Sequence, residues 1–170
     1  ALDAVAVSKG PGSYTGLRIG VAAAKGICFA MDLPLIAVNS LQILSEKYQD
    51  NNQALLFPMF DARRMEVYVM ILNEMKEVVK PTFAEVLTAE SFKEFPTNVQ
   101  WVFMGEGAQK CKELFEANHI VYRSDIQHPS AAEMVPLAWK AFQAQKFEDV
   151  AYFEPFYLKD FYTTAKKIGG

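Results

Sequence analysis

The feature that most constrains this fold is a glycine-rich connection, GPGSYTG at residues 10–16, between an apolar segment and a run of small residues. The apolar segment at residues 4–7 lacks polar alternation, which is typical of an inner strand in a sheet covered on both faces. Residues 16–30 carry charge only at Arg18 and Lys25, and we predict a helix there. A strand, a tight connection and a helix in this order indicate an α/β protein.

The predicted helix is rich in glycine and alanine. Two sets of small residues recur at every fourth position and form two adjacent stripes: Gly16, Gly20 and Ala24, and Ala22, Gly26 and Ala30. Each glycine inside a helix costs about 1 kcal/mol relative to alanine. We therefore expect another backbone to pack closely against this helix.

The glycine-rich connection has three interpretations. In the first, it is a tight turn in which Ser13 or Thr15 caps the helix. In the second, an anion or nucleotide lies at the free backbone N–H groups of a loop that contains Gly10, Gly12, Ser13 and Thr15. The third, a dinucleotide-binding loop, is excluded by the G-x-G-x-x-x-G spacing and by Asn39, which stands where an acidic ribose ligand is expected. Glycine turns far outnumber phosphate sites, so spacing alone favours the tight turn.

The rest of the chain continues the α/β pattern. A strand at residues 35–38 leads into a helix at residues 40–48 capped by Asn39 or Ser40, which predicts a parallel pair with a right-handed crossover. Residues 54–60 and 64–72 predict a hairpin. The other predicted elements are strands at residues 78–87 with a break at Pro81, 99–104 and 120–122, and helices at residues 89–95, up to 116, and 131–145.

A polar break at residues 50–52 marks the predicted boundary between two units. We place the remaining part of an N-terminal lobe at residues 1–50, a second α/β lobe at residues 51–155 and a C-terminal tail at residues 156–170. The chain starts at Ala1 immediately before a strand, and we expect an N-terminal portion to be absent.

Composition excludes several classes of protein. The net charge is −3 and the pI about 5.4, so no basic field holds nucleic acid unaided; Lys159, Lys166 and Lys167 form only a weak cluster. Cys28 and Cys111 lack metal-type spacing, as expected of buried thiols in a reducing cytoplasm. No apolar run reaches membrane-spanning length and no signal peptide opens the chain, so we expect a cytoplasmic protein without membrane contact.

Candidate catalytic groups are few. His119 and His128 lie in different predicted elements without a nearby cysteine or carboxylate pattern, so they do not specify a metal site. No G-x-S-x-G motif surrounds Ser13. The densest charged group lies at the predicted hairpin turn and consists of Asp61, Arg63, Arg64 and Glu66. It fits a turn stapled by ion pairs or a carboxylate–arginine site in a cleft, and the frequency of such pairs on surface turns favours the first.

Several segments resemble the TsaB (YeaZ) family of bacterial proteins. They are, in order, GPGSYTGLRIG at residues 10–20, AKG at 24–26, PLIAVNSL at 34–41, DARRMEVY at 61–68 and EPFYLK at 154–159. The last departs from the family's proline-x-tyrosine-leucine-arginine segment by ending in lysine. The order matches across nearly the whole chain. Members of this family support the synthesis of threonylcarbamoyladenosine at position 37 of tRNAs.

The resemblance implies an actin-like, Hsp70-like (ASKHA) fold of two lobes, with an incomplete N-terminal lobe because the family's first strands and helix are missing here. It also implies a protein without catalytic activity. The related catalytic protein TsaD holds iron or zinc in a His-Met-Glu-Gly-His motif, whose two histidines align with Ser40 and Leu44 and whose acid aligns with Gln42. Neither Ser40 nor Leu44 ligates a metal as histidine does.

The resemblance further implies that the small-residue helix pairs with TsaD, or with a second copy of the protein when TsaD is absent. The residues assigned to this surface are Tyr14, Gly16, Leu17, Gly20, Ala23, Ala24, Gly26 and Ile27. The ATPase TsaE is a further expected partner, tRNA is reached only through the complex, and no cofactor is required, although a nucleotide at the pairing surface stays an open alternative. Two other functions stay open: a stand-alone metal- or nucleotide-dependent hydrolase, and a small-molecule sensor of the sugar-kinase type.

Overall fold

A computed structural model describes residues 1–50 and 52–158 of the chain. The elements, in chain order, are β1 Val5–Gly10, α1 Tyr14–Met31, β2 Leu35–Asn39, α2 Ser40–Ser45, β3 Ala54–Asp61, β4 Glu66–Leu72, β5 Val78–Val86, β6 Gln100–Met104, α3 Ala108–Cys111, β7 Ile120–Arg123 and α4 Ala131–Gln143. The predicted order of the first two strands and helices is confirmed, and so is the α/β class.

Strands β1 and β2 form a parallel two-stranded sheet, as predicted from the strand–helix–strand order. Helix α1 covers one face, where Ala24 and Cys28 pack with Leu35. Helix α4 covers the other face, where Met134 and Leu137 pack against a buried cluster around Ile36. Both faces are therefore occupied, which explains why these strands lack polar alternation.

The second sheet has five strands in the order β5-β4-β3-β6-β7. Strands β3, β4 and β5 are antiparallel neighbours, which confirms the predicted hairpin, whereas β3, β6 and β7 run parallel. One face holds an aromatic core around Phe57 and Phe103. On the other face, Leu41 and Leu44 of α2 pack on Leu56 and neighbouring strand residues. The alternation along β3 sends side chains to both cores.

Four predicted elements differ from the structure. Residues 89–95, predicted as a helix, form successive turns, because Phe92 has a φ of 68° and a helix does not continue through a left-handed residue. The helix predicted at residues 40–48 ends at Ser45, and the one predicted to reach residue 116 ends at Cys111. Strand β5 continues past Pro81 as one element, although its pairing with β4 shifts register between Lys80 and Phe83. As an edge strand, β5 needs no N–H donor on its free side.

The C-terminal part of the described chain packs on the first sheet rather than on the second. Glu148 forms a bridge with Leu35 of β2, and Val150 and Phe153 join the core beneath α1. The packing therefore changes ahead of α4 and not at residue 155, where the sequence placed a boundary. The predicted tail at residues 156–170 lies within the described residues only as far as residue 158, and the lysine cluster at residues 159, 166 and 167 lies outside them.

Candidate functional site

The glycine-rich connection between β1 and α1 is a tight turn. Ser13 is the N-cap of α1, and its Oγ accepts a hydrogen bond from the Gly16 N–H at 3.3 Å, as the sequence predicted. Gly10 has a φ of 109°, and a Cβ at this position would lie 2.8 Å from the Phe156 carbonyl oxygen. The fold thus requires glycine at position 10. Gly12 is exposed, and its nearest potential contact is Leu17 at 3.9 Å.

A C-terminal segment, residues 151–158, lies against this turn and the start of α1. The Phe156 N–H donates to the Lys9 carbonyl at 2.7 Å. Arg18 Nε donates to the Tyr157 hydroxyl at 3.3 Å, which raises the pKa of the guanidinium, and the rings of Tyr14 and Tyr157 lie 5.2 Å apart. The segment therefore occupies one side of the loop. The anion interpretation of Gly10, Gly12, Ser13 and Thr15 stays a prediction.

Helix α1 turns an uncharged apolar surface to solvent. We call it the outer face of α1 and define it by Ile19, Ala22, Ala23, Gly26, Ile27, Phe29 and Ala30, all of which are exposed. Ile19 is 66% and Phe29 85% exposed. The two cations of this region point back to the C-terminal segment, since Lys25 Nζ donates to the Ala151 and Phe153 carbonyls at 3.1 and 2.9 Å. A contiguous exposed apolar surface of this kind is typical of interaction sites.

The structure divides the predicted pairing residues. Exposed members are Gly16, Ala23, Gly26 and Ile27, and half-buried members are Tyr14, Leu17 and Gly20. Ala24 is a correction: it is 5% exposed and packs with Cys28 and Leu35, so a partner cannot reach it. Sequence reasoning missed Ile19 and Phe29, although they share the helical spacing of Ala22 and Gly26. A Cβ at Gly26 would have no atom within 4 Å, so this glycine is open to whatever covers the helix.

The charged group after β3 forms a hairpin turn fastened at its base. Asp61 Oδ1 accepts hydrogen bonds from Lys110 Nζ at 2.7 Å and from the Arg63 N–H at 2.6 Å. The bond from Lys110 lowers the pKa of the Asp61 carboxyl, against a smaller opposing effect of burial. Lys110 also donates to the Glu66 carbonyl at 3.0 Å. The predicted turn is present, but the Asp61 carboxylate forms its ion pair with Lys110 of α3 and not with the side chain of either arginine.

A shallow cavity of about 290 Å³ lies at the carboxyl ends of β6 and β7. Its lining includes Glu106, Lys112 and Arg123. His128 Nδ1 lies 2.9 Å from Glu106 Oε1. The other histidine, His119, packs edge-on against Trp101, with the ring centroids 4.8 Å apart. Among residues 1–50 and 52–158, no three His, Cys, Asp or Glu side chains are placed to hold a metal ion.

Ser40 and Leu44, which the family resemblance aligns with the metal-binding histidines of TsaD, have structural contacts. Ser40 Oγ lies 2.6 Å from Ser8 Oγ, and Leu44 is fully buried between α2 and the second sheet. Both cysteines are buried as predicted, and burial raises the pKa of the Cys111 thiol to about 12. Within the described part of the chain, no helix has the length and apolar composition needed to cross a membrane.

The chain is similar to proteins of one group. Residues 1–167 match the TsaD family, described as tRNA N6-adenosine threonylcarbamoyltransferase. The "tRNA threonylcarbamoyladenosine biosynthesis protein TsaB" of Haemophilus influenzae is 30% identical over 99% of this chain and 75% of its own length. The protein of the same name from Escherichia coli is 29% identical over 94% of this chain and 71% of its own length. The structure of YeaZ from Pseudomonas aeruginosa superposes with a TM-score of 0.76 at 26% identity, covering 93% of this chain and 74% of that one.

Proposed function

This chain belongs to the TsaB (YeaZ) family, and on that premise we propose that it is a noncatalytic partner that pairs through α1 with the catalytic subunit TsaD. Its structure has the α/β, ASKHA-like fold of YeaZ. Its relatives are named for the biosynthesis of threonylcarbamoyladenosine in tRNA, and this chain takes part in the same pathway. In our proposal TsaD performs the transfer to adenosine 37, and this protein holds TsaD in its productive shape.

The observation that carries the proposal is the outer face of α1. Its members are small or apolar, none is charged, and the helix cations are engaged elsewhere. Gly16, Ala23 and Ala30 recur every seven residues, as do Ile19 and Gly26, which is the spacing of a seam between two helices. Small residues at such a seam let two backbones approach closely. The same face serves a second copy of the protein in the absence of TsaD.

The proposal assigns the chemistry to TsaD because the aligned metal positions here carry unsuitable groups. A serine bonded to Ser8 and a leucine in the core replace the two histidines. TsaE and tRNA then join the complex, and tRNA contacts this protein only within it. A stand-alone hydrolase would need stoichiometric metal or nucleotide, which metal analysis and nucleotide titration of the purified protein measure directly.

The test is light scattering of the protein alone and mixed with TsaD of the same organism. We expect a self-dimer that gives way to a mixed complex. Gly26→Leu fills the open position on the outer face and should weaken both assemblies by at least about tenfold, because overpacking a close helix contact is costly. Gln143→Leu adds the same side chain at an exposed position of α4 and is the matched control.

Gly20→Leu is a poorer choice, since a Cβ at Gly20 already meets Val7 of β1 at 3.9 Å and a larger side chain would disturb the fold. Equal assembly of Gly26→Leu and Gln143→Leu would refute the assignment of the pairing surface. A protein that stays monomeric and ignores TsaD would refute the partner function itself.

A further inference from the structure

We propose that Arg63 and Arg64, at the tip of the β3–β4 hairpin, contact phosphate groups of the tRNA backbone when the protein acts in its complex with TsaD. We call these two residues the arginine turn. The inference rests on the proposed function, because it requires a complex that holds tRNA. It adds a second site, which lies on a hairpin of the five-stranded sheet, whereas α1 packs on the two-stranded sheet.

The backbone of the arginine turn is strained. Arg63 has a φ of 70° and Arg64 a φ of 45°, so two consecutive side-chain-bearing residues occupy the left-handed region. Glycine and asparagine adopt this region at much lower cost, and hairpin turns usually carry them there. Asn-Gly at these positions would therefore form the same turn with less backbone strain. Strain retained at an exposed turn points to a use for the side chains.

The guanidinium groups are exposed and available. Within the described residues, neither Arg63 nor Arg64 has an ion-pair partner. Asp61, a carboxylate two residues away in sequence, is already bonded to Lys110 at 2.7 Å and to the Arg63 N–H at 2.6 Å. In the part of the chain that the structure describes, the two guanidinium groups are therefore open to an anion that another molecule supplies.

The turn is held in place before any ligand arrives. Lys110 joins Asp61 to the Glu66 carbonyl, and the Ala62 N–H donates to that carbonyl at 3.0 Å. These contacts fasten the base of the hairpin and leave its tip to project. A site built in advance loses less conformational entropy on binding.

Phosphate is the ligand chemistry that suits this turn. The planar guanidinium fork matches phosphate oxygens, and RNA carries one such group at every nucleotide. The chain has a net charge of −3, so it attracts RNA only where unpaired cations are concentrated locally. A carboxylate of a protein partner offers a similar shape, and the experiment separates the two sources.

The test compares two double variants that each remove two positive charges. Arg63→Asn with Arg64→Gly removes the guanidinium groups and suits the left-handed backbone. Lys140→Gln with Lys146→Gln removes two exposed lysines on and just after α4. Each variant is mixed with TsaD, assembly is followed by light scattering, and binding of an unmodified tRNA transcript is titrated at several salt concentrations.

We expect the arginine-turn variant to melt at or above the temperature of the wild type and to assemble normally with TsaD. Its complex should bind tRNA about tenfold more weakly at about 0.1 M salt, with a log K against log salt slope smaller by about 1.5, as the loss of two phosphate contacts predicts. The lysine variant should match the wild type in both.

Equal tRNA binding by the two variants would overturn the inference while leaving the partner function intact. Lost assembly with TsaD, with unchanged tRNA binding per complex formed, would also overturn it, because the arginines would then bind protein carboxylates. If the wild-type protein fails to assemble with TsaD, the proposed function fails first and this inference fails with it.

Discussion

At the residue scale, Gly10 and Gly12 share one turn but meet different surroundings. Gly10 combines a φ of 109° with the Phe156 carbonyl oxygen 2.8 Å from the place of a Cβ. Gly12 is exposed, a Cβ placed there would come no closer than 3.9 Å to any residue beyond its chain neighbours, and it needs no left-handed backbone. Sequence spacing treats the two glycines alike. Only the position of the C-terminal segment distinguishes them, and nothing within residues 10–16 encodes that position.

We predict that Gly10→Ala lowers the free energy of unfolding by about 2 kcal/mol or more, from the left-handed backbone and the contact with Phe156 together. Gly12→Ala is the matched control and should change it by less than about 0.5 kcal/mol. Urea unfolding measures both values. Similar effects of the two substitutions would contradict the assignment of Gly10 as the structural glycine of the turn.

At the scale of elements, α1 shows what the sequence determines and what it leaves undetermined. Its presence, its small-residue stripes and Ser13 as one of two candidate caps follow from residue type and spacing, whereas the helix begins two residues earlier and ends one residue later than predicted. Its orientation does not, because small side chains on nearly every side give little contrast between the buried and exposed faces. Ala24 is buried whereas Ala23 is exposed, although both are alanine. The two alanines differ only in their packing, since Ala24 lies with Cys28 and Leu35 in the core.

The helix predicted at residues 89–95 is wrong for a different reason. Its composition suits a helix, but the aromatic ring of Phe92 is drawn into the core beside Phe57 and Phe103, with ring centroids 5.3 and 6.0 Å away. Local preference amounts to a few tenths of a kcal/mol per residue, and burying a phenylalanine amounts to about 2 kcal/mol. Tertiary packing therefore overrides the helix.

We predict that truncating Phe57 lowers the free energy of unfolding, whereas truncating Phe29 leaves it nearly unchanged and weakens pairing with TsaD. Phe57→Ala opens a cavity in the aromatic core, where Phe57 is fully buried, and should cost about 3–5 kcal/mol in urea unfolding. Phe29→Ala, on the outer face of α1 and 85% exposed, should change stability by less than about 0.5 kcal/mol but weaken pairing with TsaD. Normal pairing of Phe29→Ala would remove Phe29 from the interface.

At the scale of the whole molecule, the described chain leaves the first sheet after α2, builds the second sheet and then returns. Helix α4 and the C-terminal segment cover the sheet formed by β1 and β2. Lys25 of α1 holds the returning C-terminal segment, because its Nζ donates hydrogen bonds to the Ala151 and Phe153 carbonyls. A boundary drawn along the sequence misses this arrangement, since composition reports local breaks and not the spatial partner of a distant helix.

We predict that Lys25→Met loosens the returning segment without unfolding the second sheet. Amide exchange at Phe153 and Phe156, whose N–H groups are bonded to Asp149 and Lys9, should speed up about tenfold, the equivalent of one charged hydrogen bond. Exchange in β3 and β6 should stay unchanged. Lys140→Met, at an exposed position of α4, is the control. Unchanged exchange at Phe156 would show that Lys25 does not secure the segment.

The return of the chain also sets an order of events during synthesis. Lys25 and Ala151 are 126 residues apart, so at the usual 5–20 residues per second a ribosome needs about 6 to 25 seconds to travel from one to the other. The strands that the structure describes in the second sheet end at Arg123 and have been made before α4 begins. We expect that sheet to fold first, while β1, β2 and the apolar side of α1 wait uncovered. During those seconds the nascent chain exposes apolar surface that the folded protein buries. This is the interval in which we expect a chaperone to bind the chain.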